Sequence, residues 1–147
     1  MLVPKNKFLN YQNLFYQKIQ QTPYKIKLEV VSVKEQTDPE EFSMDAFVGD
    51  SPRESKFYEF RALYEKEISE REREKYGLPM EVNGVVYPSP KQLVPKFKDY
   101  HLDWNRTKVH FEGRVQVIDK VVYLEEFKEY GSCVGIQIFV KDDLKGG

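Results

Sequence analysis

Two histidines (His101, His110), one cysteine (Cys133) and 24 carboxylates are the groups in this 147-residue chain that could do acid–base or nucleophilic chemistry. A nucleophile needs a base beside it and a third group to orient that base. No spacing in the sequence offers such a set. His110 stands in Lys108 to Phe111, on the parity opposite Val109 and Phe111, so it should face solvent or a neighbouring subunit. Cys133 lies in the apolar run Ser-Cys-Val-Gly-Ile, which predicts a buried structural thiol. His101 and the lone Trp104 read as edge and anchor residues. Carboxylate pairs such as Glu125-Glu126 and Asp142-Asp143 carry little information in a chain with 24 acidic residues. No Walker or dinucleotide-binding glycine pattern occurs. The acidic residues from Asp38 to Glu54 invite a metal ion, but their spacing is not that of a calcium loop and no histidine is near. No catalytic, cofactor or metal residue is therefore expected, and no enzymatic role.

Any functional surface must then be positioned by the fold. The length suits one domain over 1–147. Net charge is −1, which gives no support for general nucleic-acid binding, although it leaves room for a local patch. One cysteine allows no disulfide within the chain. No apolar run reaches membrane-spanning length and the N-terminus lacks a signal-peptide core, so a protein kept inside a cell is expected. Aromatics make up 14% of residues, and nearly all are Tyr or Phe; they point to core packing or to an interface.

The strongest pattern is in 106–142. Short runs with period-2 alternation, rich in Val and Ile and broken by Glu112-Gly113, predict a three-stranded meander. Val115, Val117, Val121 and Tyr123 share one parity there, and Ile118, Val122 and Leu124 the other. Upstream, Phe8, Tyr11, Phe15 and Ile19 mark one face of a helix that Thr22-Pro23 ends. This helix, within 1–23, either packs on the sheet or forms an arm docking on a neighbour. Tyr24 to Glu35 is the cleanest strand, and its apolar parity switches after Val30, predicting a bulge or bend. The stretch 36–55 reads as a long acidic loop, with Phe42 and Phe47 inside it and a short strand possible at Met44 to Val48. Lys56 to Tyr64 reads as strand or helix start. A charged helix follows near 65–76, capped by Ser69 if it is shorter, and stopped by Gly77. Asn83-Gly84 reads as a hairpin turn. Ser89-Pro90-Lys91-Gln92 starts a brief helix that Pro95 should end. The expected fold is mainly β (α+β), a small antiparallel β-barrel with these helices and long loops.

The run K-V-H-F-E-G-R-V-Q-V-I-D-K-V-V-Y-L, followed by C-V-G-I-Q-I-F-V-K, resembles the barrel strands of small head-completion or head–tail connector proteins of tailed bacteriophages. The upstream A-L-Y-E-K-E-I-S-E-R-E-R-E-K-Y-G-L and V-N-G-V-V-Y-P-S-P-K-Q-L resemble minor structural proteins of phages. The resemblance spans roughly Ala62 to Asp142 and brings no catalytic residues. It implies a virion protein, made in the host cytoplasm, whose partners are copies of itself in a ring, portal or adaptor and tail proteins, and DNA passing in the channel, with no membrane. Ring contacts join two different faces of a subunit. Candidate interface residues are Phe8, Tyr11, Phe15, Phe42 and Phe47, with acidic Asp38, Glu40 and Glu41 set against basic Lys25, Lys27, Arg106 and Lys108. The competing reading is a single-stranded nucleic-acid-binding barrel, with Tyr58, Tyr87 and Tyr123 stacking bases beside lysines.

Overall fold

The computed structural model describes residues 3–33 and 53–144. Seven strands form one antiparallel sheet: β1 (Lys25–Val33), β2 (Arg53–Arg61), β3 (Leu63–Glu65), β4 (Val82–Tyr87), β5 (Thr107–Phe111), β6 (Arg114–Leu124) and β7 (Gly135–Asp142). Their spatial order is β2-β1-β5-β6-β7-β4-β3. Among the described residues there are three α-helices: α1 (Lys5–Gln20), α2 (Glu70–Tyr76) and α3 (Pro90–Phe97). Two 3-10 turns, Trp104–Arg106 and Lys128–Tyr130, flank the meander strands. No described helix is long and apolar enough to cross a membrane.

The sheet curls into a half-barrel and does not close as a barrel. Its two outermost strands, β2 and β3, are consecutive in the chain with only Ala62 between them. That residue is fully buried, and its N–H donates to Tyr24 O at 3.2 Å. A single length of chain therefore supplies both rims, joined by a peptide bond where a closed barrel would have a ladder.

Inside the curl lies the main core: Ile26 and Leu28 of β1, Phe60 of β2, Val86 of β4, Val109 and Phe111 of β5, and Ile136, Ile138 and Val140 of β7. A second cluster (Leu78, Val82, Val85 and Phe139, with Tyr76 and Ile68 against it) sits on the other face. It explains why β7 is buried on both sides.

Several local features follow from side-chain chemistry. Glu112 and Gly113 both take positive φ (50° and 76°), as a tight two-residue hairpin requires. Ser69 accepts from Glu72 N and Gly77 closes α2 at φ 60°, so the charged helix is the shorter one, beginning at Glu70. Ser89 and Gln92 make the capping box of α3, which runs two residues past Pro95.

Two further expectations need correcting. Asn83-Gly84 is no hairpin turn; it lies within β4 at a register shift. Gly84 is needed there because Tyr64 packs directly on its Cα, and Asn83 donates to Asp142 Oδ2 at 3.1 Å. The bulge expected in β1 is absent, since its register with β2 runs unbroken from Lys25↔Arg61 to Val33↔Arg53. The bulge falls in β6, where Ile118 pairs with Val140 and Lys120 with Phe139, leaving Asp119 extra. That extra residue switches the face, so Ile118, Val121 and Tyr123 all pack on the main core and Val122 on the second.

Candidate functional site

The densest set of titratable groups is at one end of the curl. Glu126 Oε2 accepts from Tyr100 OH at 2.7 Å and lies 2.6 Å from His101 Nε2. His101 packs at a tilt against Tyr123 (4.1 Å between centroids) and Tyr100 (4.4 Å), while Trp104 Nε1 donates to Tyr123 OH at 2.7 Å. The Tyr100 hydrogen bond, helped by His101, holds the Glu126 carboxyl below its ordinary range against the opposing effect of burial. Burial, then the Glu126 charge, raises Tyr100. Burial and the same charge push the Cys133 thiol up to about 12, so it is a protonated thiol near neutral pH. Rings in van der Waals contact leave no gap for a substrate between them. The set ties Tyr100–Trp104 to the turn around Glu126, and the imidazole is half-exposed, outside any buried cleft.

On the outer face, β1, β2 and β5 place other polar groups side by side. Glu29 accepts from Ser55 Oγ at 2.9 Å and lies 2.7 Å from His110 Nε2. Burial raises the Glu29 carboxyl, but these two hydrogen bonds and the charges of His110 and Lys108 lower it on balance. The serine meets the carboxylate rather than the imidazole, so this is not a Ser-His-acid relay. Lys25 and Lys27 join His110 and Glu59 around a shallow cleft here. Arg106 and Lys108 instead line a cavity of about 380 Å³ with Trp104, Val31 and Ile118. Both are already paired, Arg106 with Asp103 at 3.5 Å and Lys108 with Asp143 at 2.9 Å. The four basic positions are thus divided between two places.

The helix face also differs from expectation. Phe8 is buried in the chain's own core against Phe127 and Tyr130, and Phe15 packs on Gly135. Tyr11 points outward, 51% exposed. The inward row is Phe8, Gln12, Phe15, Ile19. At about 100° per residue Tyr11 falls well to the side of that row. Gln12 belongs to it because its amide donates to Cys133 O at 2.8 Å and Ser132 Oγ at 2.9 Å. A buried amide in an apolar row gives no signal in the sequence. Asp38, Glu40, Glu41, Phe42 and Phe47, and the strand expected at Met44 to Val48, lie outside the described residues. Tyr58 packs on Phe97, Tyr87 against the second core and Tyr123 against the first, so these three rings share no platform.

One surface that periodicity could not reveal is the outer edge of β2. Ala62 N–H faces β1, while Glu59 O and Arg61 O turn away and accept from Lys96 Nζ (3.4 Å) and Gln92 Nε2 (2.7 Å) of α3. Alternation along an antiparallel strand turns the main-chain groups of Ser55 and Phe57 outward too. Beyond the reach of α3, these groups have no partner among the described residues. Phe57 is 56% exposed beside them.

Compared with known proteins, the chain matches no family model and no curated protein.

Proposed function

We propose that this chain is a structural subunit of a tailed-phage particle, acting in head completion or at the head–tail connection as a ring held by subunit–subunit contacts. The observation that supports this reading is the edge of β2 carrying Phe57, which no described residue pairs. A bare strand edge beside an exposed ring is a pairing template, and proteins that stay monomeric usually blunt it with charge, proline or a covering element. Here α3 covers Glu59 and Arg61 and stops short of Phe57. A neighbour laid on that edge from a different face of its own would generate a closed ring. Other copies of the chain are the first partners, with portal or adaptor and tail proteins above and below.

The test is the mass of the species formed alone and with the adjoining particle proteins, by sedimentation velocity. The native chain should give a multi-subunit ring in at least the second condition. Phe57→Lys should lower ring yield at least tenfold with an unchanged melting temperature. A native chain that stays monomeric in both conditions, or a variant that assembles as well as the native chain, overturns the reading.

A further inference from the structure

Charge in this chain is unevenly placed. None of its 24 acidic residues falls in the first 28 positions, which hold five lysines. Tyr87 to Lys98 likewise holds three lysines and no acid. The fold brings these two segments together: Lys91 of α3 reaches Asn13 Oδ1 of α1 and lies over the Tyr16 ring, 5.6 Å from its centroid. Lys5, Lys7, Lys18, Lys91, Lys96 and Lys98 are all exposed, and none makes an ion pair among the described residues. Of the lysines elsewhere, Lys66, Lys108 and Lys141 each meet a carboxylate, while Lys25, Lys27, Lys56, Lys75, Lys120 and Lys128 meet none among the described residues.

The side of α1 facing away from the core is a stripe of amides. Asn6, Asn10, Asn13, Gln17 and Gln20 are all exposed, with Lys7 and Lys18 along one flank and Lys91 across the other. Between α1 and α3 lies an open groove of about 580 Å³, with Tyr16, Val94 and Pro95 among its walls. Lysine ammonium groups, side-chain amides and tyrosine hydroxyls are the groups that contact phosphate and sugar, and exposed tyrosine rings can stack on bases. An acidic protein surface could be met by the same lysines and amides; what it would leave unused are the tyrosine rings beside them, which can stack on bases.

We propose that the α1–α3 face binds the phosphodiester backbone of a nucleic acid without reading its sequence. A net charge of −1 hides this footprint because the compensating acids lie elsewhere in the chain. The inference does not need the ring reading: a chain that bound DNA without assembling would keep it and lose the other.

The test is binding of fluorescent single-stranded and duplex DNA of mixed sequence to the full chain between 50 and 200 mM salt. Six phosphate contacts on duplex give a slope of log affinity against log salt of about −5. Lys7→Gln/Lys18→Gln/Lys96→Gln should bring it to about −3 and weaken binding at least tenfold at low salt. Lys25→Gln/Lys27→Gln on the outer sheet face should change nothing. Lys7→Glu guards against a folding artefact, since an acid in a first helical turn favours the helix while it repels phosphate. It should melt no lower than the native chain and bind at least tenfold more weakly. Tighter binding of the single strand would assign base stacking to Tyr11 and Tyr16; equal binding would leave phosphate contacts alone. No binding at 50 mM salt, binding that the triple variant leaves intact, or displacement by poly-glutamate as effective per charge as by unlabelled DNA would overturn the proposal.

Discussion

Tyr100 shows how much one hydroxyl can set. Its hydrogen bond is the largest influence holding Glu126 ionised, with His101 adding to it. A carboxyl whose folded pKa lies below its unfolded value near 4.5 adds stability that is fully present above that value and lost as pH falls through the folded one. Tyr100→Phe should therefore cost about 1–3 kcal/mol near neutral pH, the usual range for a buried bond to a charged group. The gap in melting temperature between native and variant should narrow as pH drops from 6 to 2.5. A gap that stays constant across that range would show that the phenol acts through packing alone. None of this was legible in the sequence, where Tyr100 and Glu126 stand 26 positions apart and one carboxylate pair among 24 acidic residues says nothing. Cys133 was legible, because an apolar strand around a lone thiol has few other meanings.

Between α1 and β7 the contact depends on Gly135. A Cβ built there would stand 2.6 Å from two ring atoms of Phe15, closer than any packing allows. Gly135→Ala should lower stability by about 1–3 kcal/mol through overpacking. Adding Phe15→Leu should return part of the loss, so the two changes combine less than additively in a urea double-mutant cycle. Strict additivity would mean that helix and strand do not meet at this point. Elements whose signals are local were read well from sequence. The meander strands, the Glu112-Gly113 hairpin and the Ser89 capping box each rest on neighbours within four residues. Features set by distant partners were not. The β6 bulge at Asp119 exists so that Ile118 and Val121 can both face the core, and Gly84 yields its space to Tyr64. The outward turn of Tyr11 depends on where Gln12 finds Cys133 O.

At the scale of the whole molecule, architecture was legible as mostly antiparallel β with flanking helices, but the barrel the sequence led us to expect does not close. Whether a curled sheet closes is decided by which strand lies last on each side, and no periodicity records strand order. Ala62 is where that order turns on itself, with its side chain fully buried. Ala62→Leu should cost about 1–3 kcal/mol by overpacking. Amide exchange should then rise together in β2 and β3, although these lie at opposite ends of the sheet order. Faster exchange in β2 alone would show the two rims to be mechanically separate. The proposed surfaces divide along the same lines: the ring contact uses the rim that α3 leaves bare, and the polyanion face uses the helices that cover the rest.

A sheet whose first and last strands run on from one another cannot part its rims at the residue that joins them. Any widening must open one of the six ladders between neighbouring strands, so at Ala62 the separation of the two rims is set by covalent geometry.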